Sequence, residues 1–123
     1  MSGNSLLLDT NIVLYLLKGE ETLVPLLEEK QLYLSFITQL ETLGYKGISK
    51  EEHLKITGFL DQCVIIDINA VIKNFTIMLR QKYDIKLPDS IIMATSLYLN
   101  IPVITADKGF NKVEDLDLLY YEK

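Results

Sequence analysis

Apolar positions along the chain fall into short unbroken runs set between stretches of helical periodicity. Leu6 to Leu8, Leu32 to Phe36, Val64 to Ile68 and Val103 to Thr105 each read as a strand, and the LDLLYY segment near the C-terminus reads as a fifth. The runs are continuous rather than alternating, so the strands are expected to be covered on both faces of a parallel sheet. The intervening periodicity predicts helices over about Asn11 to Leu17, opened by Thr10 and Asn11, and over about Glu21 to Lys30, with Pro25 tolerated only in the first turn. Thr38 opens a third helix that runs to about Lys46, and Ser49 opens a fourth, SKEEHLKITGFLDQ. The last two run from Asn69 to about Tyr83 and from Pro88 to about Leu99. Strands alternating with helices predict an α/β protein: a three-layer α/β/α sandwich on a central, mostly parallel, short-stranded sheet. At this length the whole chain, residues 1–123, is expected to be one domain.

Composition supports a packed core, with 49% hydrophobic and 24% charged residues, and excludes a disordered chain. No internal repeat or low-complexity tract is visible. With one cysteine, Cys63, and one histidine, His53, a disulfide framework and a zinc site of Cys and His ligands are excluded. Cys63, at the head of VIID, reads as a core thiol. His53, among the charges of SKEEHLK, reads as a surface residue rather than the base of a nucleophilic triad. The N-terminal LLLDTNIVLYLL has the apolar content of a signal sequence, but Asp9, Thr10 and Asn11 interrupt it and no basic residue precedes it. No run reaches the ~20 apolar residues of a membrane span. A soluble, cytoplasmic protein is expected. The net charge of −5 argues, by itself, against a nucleic-acid partner.

In parallel α/β sheets, ligands bind at the carboxyl ends of the strands. Asp9 directly follows the first strand, Glu41 lies on the first turn of the helix after the second, and Asp107 lies two residues past the fourth. Asp89 opens the helix that precedes the fourth strand, and that helix is placed with its start at the same edge. Each has a structural role available to it. Asp9 can cap a helix, Thr38-Gln-Leu-Glu41 has the form of a capping box, Asp89 after Pro88 suits a helix start, and Asp107 suits a turn. Convergence of all of them imposes a further demand. Two carboxylates about 5 Å apart repel by roughly 3 kcal/mol at an effective dielectric of about 20. Such a cluster calls for a cation, and an oxygen-only ligand set points to Mg²⁺ or Mn²⁺, as one or two ions. These ions serve phosphoryl transfer by activating water.

The stretches LLLDTNIVLYLL, ITQLETLGY and LPDSIIMATSLYLNIPVITADKGF resemble, in order and spacing, the acidic motifs of the PIN domain, and in particular toxin nucleases of the VapC type. The resemblance covers nearly the whole chain. It implies a Mg²⁺- or Mn²⁺-dependent endoribonuclease acting on RNA, a cognate antitoxin and a homodimer. It also implies that Asp9, Glu41, Asp89 and Asp107 are the catalytic and metal-binding residues, supported by Asn11, Thr105 and Thr38. In one departure, Lys108, Gly109 and Phe110 separate Asp107 from Asn111, where the family often has an acidic residue or Asn a few positions on. Neutralising the four site carboxylates brings the net charge from −5 to −1, which removes the conflict with an RNA substrate. Lys46, Lys50, Arg80, Lys82, Lys86 and Lys108 are candidates for phosphate contact. The apolar helices IVLYLL and TLVPLLEE are candidates for the antitoxin surface. The alternatives are a PIN nuclease that processes RNA without an antitoxin, a PIN module that only binds, and a receiver-like signalling domain. The intact acidic quartet argues against the binding module. A receiver domain carries an acidic pair after strand one and an acceptor aspartate after strand three, whereas Asp9 is single and Asp67 is expected within VIIDI.

Overall fold

The computed structural model describes residues 4–123, so residues 1–3 of the expected 1–123 domain lie outside the described residues. Five strands, β1 (Ser5–Leu8), β2 (Gln31–Ser35), β3 (Val64–Ile66), β4 (Val103–Thr105) and β5 (Leu118–Tyr120), form one sheet in the order β3-β2-β1-β4-β5. Every pairing is parallel. The helices are α1 (Thr10–Leu17), α2 (Val24–Leu27), α3 (Phe36–Leu43), α4 (Lys50–Leu60), α5 (Ala70–Lys82) and α6 (Leu87–Leu99).

Successive strand residues point to opposite faces, and both faces are covered. Leu6, Leu8, Leu34 and Ile104 pack with Ile12 and Val13 of α1 and Ile56 and Leu60 of α4. Leu7 and Val103 pack on the other side with Ile72 and Leu79 of α5 and Ile92 and Met93 of α6. This is the expected three-layer α/β/α arrangement. The chain steps from β1 to β2 to β3 in one direction across the sheet. Helices α5 and α6 then return it past β1 to β4. That reversal leaves β1 and β4 adjacent and opens a crevice between their carboxyl ends.

Three local expectations are corrected. The second helix is only a 3-10 turn, Glu21–Leu23, followed by the single turn of α2, with Pro25 in that turn. Glu28 leaves the helix with ψ 140° and Glu29 adopts a left-handed φ of 62°, which turns the chain into β2, where Gln31 pairs with Ser5. Helix α3 begins at Phe36, not Thr38, because Ser35 caps it: its Oγ accepts from the Ile37 N–H at 3.1 Å. The capping box expected at Thr38 and Glu41 is therefore absent, while SKEE forms one at α4, between Ser49 and Glu52. Strand β3 stops at Ile66, so Asp67 follows it rather than lying within it. A receiver-like domain is still excluded, since that doubly wound fold has the order 2-1-3-4-5.

His53 is exposed on α4. Cys63 is half-buried, its thiol donating to the Phe59 carbonyl, and burial pushes it up to about 11, so it is no nucleophile. Among the described residues, no helix is long and apolar enough to cross a membrane.

Helix α6 ends at Asn100, which holds the left-handed conformation (φ 55°, ψ 47°). Asn100→Gly should therefore match or slightly exceed the wild-type urea midpoint. Asn100→Val, with a branched Cβ at that site, should lose about 1–2 kcal/mol.

Candidate active site

Because Leu7 pairs with Val103 and Leu8 with Ile104, the residues that follow β1 and β4 emerge side by side. The Asp9 N–H donates to the Ile104 carbonyl at 3.0 Å, and its own carbonyl accepts from Ile12 and Val13 to start α1. The Asp9 side chain is only 4% exposed. Its Oδ1 accepts from the Thr10 N–H at 2.8 Å and its Oδ2 accepts from the Thr105 hydroxyl at 2.6 Å. Thr105 Oγ1 in turn accepts from the Asp107 N–H at 3.0 Å.

Asp107 caps the short 3-10 turn Lys108–Lys112, its Oδ1 accepting from the Gly109 N–H at 2.8 Å. A Cβ at Gly109 would stand 3.1 Å from that oxygen, a tight contact that a larger residue would relieve only by shifting the carboxylate by a few tenths of an ångström. On the other side of Asp9, Glu41 projects from α3 and accepts from the Thr10 hydroxyl at 2.7 Å, which lies 2.9 Å from the buried Thr38 hydroxyl. Asp89 sits in the first turn of α6, where Pro88 replaces an N–H that would have had no helical partner. A cleft of about 210 Å³ is lined by Lys86, Asp89, Met93, Asp107, Gly109 and Lys112, among others.

Electrostatics join the four acids. Burial pushes the Asp9 carboxyl up to about 6, against the hydrogen bonds from Thr105 and Thr10, and the charges of Asp89 and Asp107 add to the rise. Asp89 is also raised, first by burial and then by Asp107 and Glu41, while Lys86 pulls it down. Asp9, Asp89 and Asp107 thus feel one another across one edge of the sheet, and Glu41 acts on Asp89. Among the described residues, no three His, Cys, Asp or Glu side chains stand as a ready-made metal cage. The donor set still fits a hard dication of the Mg²⁺ kind, which keeps several waters and takes one or two carboxylates rather than a full protein cage.

The other residues singled out in the sequence divide. Thr105 and Thr38 are both buried within the hydrogen-bonded frame. Asn11 is exposed and makes no side-chain hydrogen bond among the described residues. Lys86 lines the cleft and Lys108 is exposed beside Asp107, whereas Lys82 pairs with Asp115 at 3.3 Å. Lys46, Lys50 and Arg80 are exposed and line no part of this cleft. Sequence reasoning missed Thr10, Gly109 and Lys112. The first stands inside DTN, read there only as a helix start; the others stand in TADKGFNK, where nothing local marks them.

A model of the PIN domain family matches residues 6–116. Among solved structures, a chain of a toxin–antitoxin complex from Klebsiella pneumoniae is 32% identical, with 95% of this chain and 98% of that one covered and a TM-score of 0.82. A chain of VapBC-1 from nontypeable Haemophilus influenzae is 25% identical over 97% of this chain and 99% of that one, with a TM-score of 0.78. A chain of VapBC2 from Rickettsia felis, bound there to a DNA fragment from its promoter, is 21% identical, with coverage of 96% and 99% and a TM-score of 0.86. At that identity the last likeness speaks for the fold alone. No curated protein matches the chain in sequence.

The raised Asp9 carboxyl makes stability depend on pH. The folded state holds this proton up to about 6 and the unfolded chain only to about 3.8. Between those values the native state binds more protons, so this group's contribution falls as pH rises, by on the order of 3 kcal/mol in all. In chelator, Asp9→Asn should therefore melt above wild type at pH 7, and the difference should vanish toward pH 4. Thermal melts at both pH values check this; an advantage that persists at pH 4 would rule out Asp9 as its source.

Proposed function

The chain belongs to the PIN domain family, and from that premise we propose that it is a toxin nuclease of the VapC type, a metal-dependent endoribonuclease of the cytoplasm held in check by an antitoxin. The observation that carries this reading is the group of Asp9, Glu41, Asp89 and Asp107 at one sheet edge, with the carboxyls of Asp9 and Asp89 raised by burial and by the charges of neighbouring acids. The charge they accumulate is what a divalent cation relieves. Asp9, Glu41, Asp89 and Asp107 would hold Mg²⁺ or Mn²⁺, and the chemistry such an ion supplies is activation of water and neutralisation of phosphoryl charge.

The chain's own residues do the rest. Two hydrogen bonds hold Asp9 in one orientation, and the Gly109 N–H holds Asp107 in another. Lys86 and Lys112 bring positive charge to the cleft that contains Asp89 and Asp107, where an RNA phosphate would lie. Met93 and Ile85 give the cleft an apolar wall. The antitoxin reading draws support from the likeness to the Klebsiella toxin–antitoxin complex. It draws further support from a groove of about 390 Å³ between α1 and α4, lined by Leu14, Leu17, Tyr45 and Ile56.

Two outcomes follow. Incubated with Mg²⁺ or Mn²⁺, the protein should cleave single-stranded RNA, and excess chelator should stop it; undiminished cleavage in chelator would overturn metal dependence. Glu41→Gln and Asp89→Asn should each cost at least about tenfold in rate, or ~1.4 kcal/mol of transition-state stabilisation, with helices intact by circular dichroism. Wild-type rates in both would remove these residues from the site. The second outcome concerns association: light scattering of the isolated chain should give about twice the 14.1 kDa of one copy, and a monomer at high concentration would refute the homodimer.

A further inference from the structure

Thr10 stands between two of the acids without being one of them. Its backbone N–H donates to Asp9 Oδ1 at 2.8 Å, and its hydroxyl lies 2.7 Å from Glu41 Oε1 and 2.9 Å from Thr38 Oγ1. Chemistry sets the direction of these bonds. An ionised carboxylate only accepts, and a threonine hydroxyl has a single proton. The Thr10 proton therefore goes to Glu41, and Thr38 donates to Thr10. Thr38 is fully buried and inside α3, where a β-branched side chain has few rotamers, so the chain of hydroxyls is anchored at its inner end. Glu41 is exposed and makes no other side-chain hydrogen bond among the described residues. Its Oε2 makes no hydrogen bond among the described residues.

We propose that Thr10 is a positioning residue: its hydroxyl, oriented by Thr38, holds the Glu41 carboxylate beside Asp9 in readiness for a divalent cation. The inference rests on the metal-dependent reading above. Its physical content is entropic. A free glutamate at a rim surrenders rotamer freedom when it takes up a ligand, and one already held surrenders less. Thr10→Val is nearly isosteric and keeps the N–H bond to Asp9, so it isolates the hydroxyl.

The test is calorimetric titration of Mn²⁺ into the whole chain. Thr10→Val should weaken Mn²⁺ binding by about tenfold. Thr10→Ser, which keeps the hydroxyl, should bind close to wild type, and both variants should melt near wild type without metal. In a Glu41→Gln background, Thr10→Val should cost nothing further, because it acts through Glu41. The proposal is overturned by wild-type Mn²⁺ affinity in Thr10→Val, by a Thr10→Ser variant as weak as the valine, or by an equal loss in the Glu41→Gln background. Should Thr10→Val not fold, Thr38→Val removes the orienting donor instead, and unchanged Mn²⁺ affinity there overturns the proposal in the same way. Wild-type protein that binds no Mn²⁺ would overturn the metal-dependent reading and this inference together, a result distinguishable because it appears before any substitution.

Discussion

The hydrogen bond from the Thr105 hydroxyl to the buried Asp9 carboxylate ties the whole arrangement together. A carboxylate taken from water needs its lone pairs met, and here two donors reach it from residues 95 apart: Thr10 just beside it, and Thr105 at the end of a strand that the chain visits last but one. That bond forms only because β1 and β4 are neighbours. It holds Thr105 in place to receive the Asp107 amide, which sets the turn on which Asp107 and Gly109 meet. A change in strand order would leave Asp9 buried with one partner.

The same burial is a source of strain. Two hydrogen bonds do not offset the desolvation of Asp9, and its neighbours Asp89 and Asp107 carry the same charge. Asp89 shares the difficulty, relieved in part by Lys86. An edge of this kind is less stable in the absence of a cation than a neutral one of the same shape would be. That is the usual relation between a working site and the fold that carries it.

Structure and site are made from the same residues. Asp9 caps α1 while taking the Thr105 hydroxyl from the end of β4, and Asp107 caps its 3-10 turn while lining the cleft. These roles do not compete, because an ionised carboxylate offers about four lone-pair sites and a cap uses only one. Glu41 and Asp89 cap nothing by hydrogen bond: among the described residues the side chain of Glu41 bonds to Thr10, and Asp89 sits in the first turn of α6.

What the sequence determined by itself is what local chemistry can carry. Unbroken apolar runs marked the strands, since a strand covered on both faces has no polar side to show. Ser49 and Glu52 marked the start of α4, since a capping box is closed within four residues. The absence of more than one histidine and one cysteine left oxygen ligands alone. The order of acidic motifs brought in the family. Local chemistry also misled: Thr38 and Glu41 have capping-box spacing, but the cap belongs to Ser35, and the Thr38 hydroxyl turns inward to a partner 28 residues earlier. The second helix was overextended because its periodicity does not reveal that the chain must bend at Glu28 and Glu29 to enter register with β1. Only the tertiary structure decided which acids share a field, that Thr10 bridges two of them, and that Lys112 reaches the cleft. Those contacts depend on β4 inserting beside β1 across a long crossover, and strand order is set by packing of the two helical layers rather than by any neighbour in sequence.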